Sequence, residues 1–274
     1  MKPMKAITAG LLALAMPLNA ATTITIKGSD TLVILNQRWA EAYMSKNAGI
    51  SIQVTGGGSG TGISALINGS TDICAASRTM SQKEKLSLRD RFNTTGVEIP
   101  VARDGLAVYL NETNPVKELS LQQISDIYRG KITNWKDAGG EDAKIILYSR
   151  ENNSGTYVYF KDHVLKGKDF SPLAQSLPGT AAVANAIAKD KRGIGFGGAA
   201  YAKGIKFCLV KKTDKDTAYE PTMENVKLGK YPISRYLYFY VRNKPSGDIK
   251  QFIDWATGSE GQGIVNQVGY FPLK

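Results

Sequence analysis

The stretch Arg150-Glu151-Asn152-Asn153-Ser154-Gly155-Thr156 decides how this chain is to be read. Lys144–Tyr148, just ahead of it, predicts a short strand, and Ser154–Leu165, just behind it, predicts a helix. One turn thus gathers a guanidinium, a Ser and a Thr hydroxyl and the free amides of a helix start. These are the groups a tetrahedral oxyanion needs: N–H donors, the positive end of a helix dipole and a rigid Arg fork. A second stretch, Thr55-Gly56-Gly57-Gly58-Ser59-Gly60-Thr61-Gly62, has the same strand–loop–helix plan far upstream. Together the two turns imply two lobes closing on one small anion.

Around the upstream turn the pattern is α/β. Ile24–Lys27 alternates as a strand and ends in Gly28-Ser29-Asp30-Thr31. Leu32–Lys46 is helix-like, with Leu32, Leu35, Trp39 and Tyr43 at helical spacing and Ser29 or Asp30 as a suitable N-cap. Ile50–Val54 predicts the strand entering the glycine-rich loop, and Ile63–Asn68 the helix leaving it, closed by Gly69. Asp72–Ala76 predicts a third strand, which delivers Ser77 and Arg78 at its carboxyl end. Three strands each ending in a small polar residue suit a ligand crevice outside the strand ends of an open α/β sheet.

Further on, Ser81–Phe92 predicts a charged helix and Val97–Leu110 a strand pair interrupted at Asp104-Gly105. Asn114-Pro115 marks a turn where the chain crosses to a second lobe. Ser120–Tyr128 predicts a short helix, and Gly193–Gly198 and Lys203–Val210 supply strands of that lobe. Tyr231–Val241 is a β-prone aromatic run suited to a return crossing, and helices Asp248–Ala256 and Glu260–Asn266 finish the first lobe. The expected organisation is residues 1–20 as a leader, 21–110 with 231–274 as lobe one and 111–230 as lobe two.

The leader is expected because Lys2 and Lys5 precede an apolar run from Ala6 to Leu18 and small residues at Ala20-Ala21. Cleavage near Ala20 implies an exported, periplasmic chain. The apolar run is too short to span a bilayer, and Gly10 and Pro17 interrupt it. The net charge of +11 becomes +9 without Lys2 and Lys5. Lys and Arg are spread along the chain without a basic block, so the charge favours an anionic ligand and does not point to nucleic acid. Cys74 and Cys208 sit in apolar strand-like runs, which suits free, buried thiols in different lobes better than a bridge.

Enzyme chemistry finds little to build on. His163 is the only histidine, so no Ser-His-Asp set extends beyond it, and one His with two distant Cys has no zinc-ligand spacing. Ser59 lacks the Gly-x-Ser-x-Gly spacing because Thr61 stands at the second glycine. Ile63 replaces the Lys of a phosphate-binding nucleotide loop, and Thr61 breaks Gly-x-Gly-x-x-Gly. No cofactor is expected. The glycine-rich loop reads as an anion loop and not a linker, because it lies directly between a strand and an apolar-periodic helix.

Taken in order, Gly28-Ser29-Asp30-Thr31, Gly57-Gly58-Ser59-Gly60-Thr61-Gly62, Asp72-Ile73-Cys74-Ala75-Ala76-Ser77-Arg78, Asp104-Gly105, Gly130-Lys131-Ile132-Thr133-Asn134-Trp135 and Arg150-Glu151 with Ser154-Gly155-Thr156 form a set. This set resembles the phosphate-binding receptors of Pst-type ABC importers, across essentially the whole chain beyond the leader. The resemblance implies the type 2 periplasmic binding protein fold: two lobes, each a mixed sheet flanked by helices, joined by two crossing strands. It implies inorganic phosphate as ligand, a membrane ABC permease as partner, and a monomer. Thr31 and the Leu32 amide, with Ser29 and Asp30 beside them, would bind from the first helix start, and Ser59 and Gly60 from the second. Arg150, Ser154, Gly155 and Thr156 would bind from the other lobe, and Ser77 from the third strand. Many family members carry Asp after that serine, where this chain has Arg78. Asp104 is therefore the first choice to accept the ligand's proton, and Asp30 the second. Alternatives are another oxyanion, such as sulfate or a small phosphorylated metabolite, or a secreted phosphate-ester hydrolase.

Overall fold

A computed structural model describes residues 21–202 and 204–273. The expected leader lies outside them. In chain order the strands are β1 (Thr22–Gly28), β2 (Ile50–Thr55), β3 (Ile73–Ala76), β4 (Val97–Leu110), β5 (Glu118–Ser120), β6 (Ile146–Arg150), β7 (Gln175–Leu177), β8 (Gly193–Gly198), β9 (Lys206–Lys211) and β10 (Ser234–Val241). The helices are α1 (Val33–Met44), α2 (Ser59–Asn68), α3 (Gln82–Phe92), α4 (Leu121–Tyr128), α5 (Gly155–His163), α6 (Gly179–Lys189), α7 (Met223–Lys227), α8 (Gly247–Thr257) and α9 (Ser259–Val268).

Among the described residues the strands form one continuous mixed sheet, β2-β1-β3-β10-β4-β8-β6-β7, with β9 on β4 and β5 on β9. β1 runs parallel to β2 and β3, and β6 runs parallel to β7 and β8. The carboxyl ends of each parallel group therefore share an edge. From these ends emerge Ser29, the glycine-rich loop, Ser77 and, at the end of β6, Arg150.

The middle of the sheet differs from expectation. Val97–Leu110 is one uninterrupted strand and not a pair. It changes neighbours within itself: Val97–Gly105 pairs with β10, whereas Leu106–Leu110 pairs with β8 and Val108–Leu110 also with β9. A dipeptide such as Asp-Gly reads locally as a turn. Here β10 supplies ladder partners to Asp104 and Gly105 and β8 takes over at Leu106, so the extended backbone carries through. Gly105 has a packing reason, because a Cβ there would lie 2.7 Å from Cβ of Pro221.

Two large hydrophobic clusters flank this handover. One gathers Ile24, Ile26, Leu35, Trp39, Phe239 and Phe252 around β1 and β10. The other gathers Leu106, Val108, Tyr128, Phe160, Phe196 and Tyr231 around β8 and the second half of β4. Phe160 stacks on Phe196 at 4.0 Å between ring centres, which adds aromatic packing to area burial. Cys74 and Cys208 are both free and buried, as expected. Burial raises both thiol pKa values, that of Cys208 to about 12.

Candidate functional site

The sequence makes good helix starts here, but several capping side chains are used elsewhere. Ser29 and Asp30 are the natural N-caps of the first helix, yet neither hydroxyl nor carboxylate caps it. The Ser29 hydroxyl donates to Oγ of Ser77 at 2.8 Å. Asp30 Oδ1 accepts the Gly57 amide at 2.8 Å, and Oδ2 accepts Nη2 of Arg150 at 2.8 Å. Ser154 does cap α5, its Oγ accepting the Tyr157 amide at 3.3 Å.

Two turns that were read separately meet face to face. Thr31 Oγ1 and Thr156 Oγ1 lie 2.9 Å apart, and both residues are fully buried. Ser59 Oγ accepts the Ser77 amide at 3.0 Å and lies 3.3 Å from Ser77 Oγ. Gly155 is pressed against the same hydroxyls: a Cβ added there would come within 2.2 Å of Ser59 Oγ and 2.7 Å of Ser77 Oγ. On the rim, Asn153 O accepts the Gly60 amide at 2.9 Å, and Asn153 Nδ2 donates to Gly57 O at 3.0 Å. Gly58 sits at φ +91°, and a Cβ there would be 2.7 Å from Asn153 O, so only glycine suits both the backbone and the approach.

Arg150 is 2 % exposed. Burial lowers its pKa, and the Asp30 carboxylate opposes that shift. Its Nη1 donates to Thr180 Oγ1 at 2.8 Å, while its Nε is buried without a partner among the described residues. Thr180 opens α6, a helix the sequence analysis did not read. Its signal was present, since Thr180, Val183, Ala184 and Ile187 are the buried face at spacings of three and four.

Two of the expected residues are held by arginine–carboxylate pairs of their own. Arg78 grips Glu84 with both terminal nitrogens, Nη1 to Oε2 at 2.8 Å and Nη2 to Oε1 at 2.7 Å, and donates to Thr79 O. Glu84 also belongs to the capping box of α3 with Ser81. The guanidinium is thus taken up by a carboxylate six residues on and does not join the hydroxyl cluster. Asp104 is fully buried and held by Arg235, whose Nε and Nη2 reach its Oδ2 at 3.1 and 2.9 Å. Its Oδ1 accepts the Ala199 amide at 3.3 Å. Arg235 also donates from Nη1 to Ser77 O at 3.0 Å and from Nη2 to Thr156 Oγ1 at 2.9 Å. It was missed because it lies within an aromatic strand run, with nothing in its neighbours to mark it. Only the pairing of Arg235 opposite Asp104 in the β10–β4 ladder brings it to the site.

Ser29, Asp30, Thr31, Ser59, Ser77, Arg150, Gly155 and Thr156 thus converge, with Leu32, Gly60 and Ser154 in the adjoining helix starts. A donor-rich nest of hydroxyls, helix-start amides and two carboxylate-anchored guanidinium groups is a site for an oxyanion. Any tetrahedral anion entering it exchanges hydroxyl–hydroxyl bonds for charge-assisted ones.

The comparisons with known proteins agree with this chemistry. A family model described as a PBP superfamily domain matches residues 17–260. The phosphate-binding protein PstS of Pseudomonas aeruginosa is 34 % identical over 263 residues, covering 90 % of this chain and 81 % of that protein. The PstS of Bacillus subtilis is 32 % identical, covering 93 % and 82 %. Among solved structures, one described as a phosphate ABC transporter substrate-binding protein with bound phosphate from Clostridium perfringens superposes with a TM-score of 0.84. It is 32 % identical and covers 92 % of this chain and all of that one. The chain belongs to the PBP superfamily and, within it, to the family of phosphate-binding proteins that these relatives define.

Proposed function

We propose that this protein is a periplasmic receptor that captures inorganic phosphate between two lobes and hands it to a membrane ABC importer. The observation that carries this is the hydroxyl pair Thr31–Thr156, backed by Arg150 on Asp30, at a fully buried meeting point of two helix starts. The names of the relatives support phosphate among oxyanions. We take residues 21–110 with 231–274 as lobe one and 111–230 as lobe two, with β4 and β10 as the crossing strands. The receptor acts as a monomer and is exported by cleavage near Ala20.

Thr31, Leu32, Ser59, Gly60, Ser77, Ser154, Gly155 and Thr156 supply hydroxyl and amide donors, and Arg150 supplies charge. Phosphate that retains a proton also needs a carboxylate acceptor, which sulfate would meet as a repulsive contact. Asp30 has the greater spare capacity: each of its oxygens accepts one bond, whereas Oδ2 of Asp104 already accepts two. Phosphate has five heavy atoms, and at about 1.5 kcal/mol per atom the ceiling is about 7.5 kcal/mol, a dissociation constant of a few micromolar.

Isothermal titration of protein stripped of bound anion tests the proposal. Heat with phosphate, resistant to excess sulfate, is the expected result, and no heat with phosphate would sink it. Hydrolase chemistry has no support at His163, whose ring stacks on Tyr159 at 3.9 Å and whose Nδ1 lies 3.0 Å from Tyr159 O.

A further inference from the structure

We infer that Arg235, a residue of the crossing strand β10, is a positioning residue that sets Thr156 as a hydrogen-bond donor and so couples the junction of the lobes to oxyanion capture. The inference rests on the phosphate-receptor proposal above.

The geometry is specific. Arg235 is 7 % exposed and spends its guanidinium on three partners at once: Asp104 Oδ2, Ser77 O and Thr156 Oγ1. Asp104 and Ser77 lie on or just past strands flanking β10, whereas Thr156 is in the first turn of α5. A second contact holds the same helix to the same strand, with Tyr159 OH donating to Ser234 O at 2.7 Å. The Arg235 guanidinium also lies 5.3 Å from the centre of the Tyr159 ring.

A guanidinium has no acceptor, so it can only donate to Thr156 Oγ1. The proton of Thr156 must then point elsewhere, and its neighbour at 2.9 Å is Thr31 Oγ1. The spacing lets either hydroxyl donate, and the lone pair of Thr156 Oγ1 taken by Arg235 favours Thr156 as donor and Thr31 as acceptor. With Thr156 donating, the chain Arg235 to Thr156 to Thr31 runs in one direction and is polarised by the charge at its head. An oxyanion placed between the threonines meets the proton of Thr156, turned away from Arg235, and the Thr31 hydroxyl, which rotates to donate. Asp104, bound twice through one oxygen, keeps the fork in place.

A lysine at 235 keeps the charge beside Asp104 but is a single ammonium without the planar fork that serves three partners. The test is a double-mutant cycle on phosphate affinity by titration calorimetry with the full chain: wild type, Arg235→Lys, Thr156→Val and the combination. Arg235→Lys is expected to raise Kd at least tenfold alone and less than threefold in the Thr156→Val background. Equal fold-changes in the two backgrounds overturn the inference, because Arg235 would then act independently of the Thr156 hydroxyl. Thermal melting without phosphate checks the fold. Should Arg235→Lys melt early, the charge-free pair Asp104→Asn with Arg235→Gln replaces it in the same cycle, with the same two outcomes. Wild-type protein that gives no heat with phosphate overturns the receptor proposal and this inference together. Heat in wild type with no coupling overturns the inference alone.

Discussion

At the scale of single residues the site is a matter of who pairs with whom. Arg150 is buried on Asp30 and Thr180, with Nε without a partner among the described residues. Arg150→Ala is expected to weaken phosphate binding about a hundredfold, in line with the 2–5 kcal/mol lost when a buried charged hydrogen-bond partner is truncated. Titration calorimetry reads this directly. Asp104 was expected to accept the ligand's proton, but its partner is Arg235. Asp104→Asn should therefore act first on the fold, costing about 3–5 kcal/mol of unfolding free energy in urea melts, because it leaves Arg235 buried without its counter-charge. Asp30→Asn, by contrast, should let sulfate compete with phosphate, and unchanged selectivity would remove Asp30 from that role. The residues Thr31, Ser59, Arg150 and Thr156 were legible because each sits in a turn whose local chemistry suits an anion. Arg235 and Thr180 were not, since their neighbours along the chain carry no such mark.

At the scale of elements, helix starts and ends follow local rules closely. α3 carries a full capping box, and α2 closes at Gly69 with φ +76°. Arg78 belongs to this scale: its bond to Glu84 joins the end of β3 to the first turn of α3. Burial pushes the Glu84 carboxyl up, but bonds from Arg78 and Ser81 outweigh it, so its pKa lies below the usual 4.5. A carboxyl lowered on folding contributes stability above its unfolded pKa and loses it as pH falls through the folded value. Wild-type stability should thus gain from this pair at neutral pH and lose that gain below about pH 4.5. Arg78→Ala should lose it at neutral pH and converge with wild type in acid, measured by denaturant melts at several pH values. The same variant should leave phosphate affinity within threefold. β4 is the element that local rules misread, since Asp104-Gly105 looks like a turn but is kept extended by its pairing with β10, with β8 pairing from the next residue.

At the scale of the whole molecule, direct contacts tie the two turns together. Asn153 bonds the Gly60 amide, Gly57 O and, at 3.3 Å, Thr61 Oγ1. Tyr201 OH donates to Asp30 O at 2.6 Å. In the two-lobe receptor we propose, such contacts favour the closed form, and affinity scales with the closed fraction. Asn153→Ala should therefore speed phosphate release several-fold in stopped-flow displacement and enlarge the anion-free radius of gyration in small-angle scattering. A release rate equal to wild type would mean that this rim contact does not hold the closed form.

The strands and helices that flank the anion-friendly turns, and the buried thiols, were determined by the sequence by itself, because propensity, capping and hydrophobic period act over a few neighbouring residues. The tertiary structure alone decided that Arg235 stands on Asp104 and reaches Thr156. It also decided that Thr31 meets Thr156, a contact between residues 125 apart in the chain. Partner choice depends on distances of a few ångströms between elements, and only the sheet register and the packing of both cores set those distances.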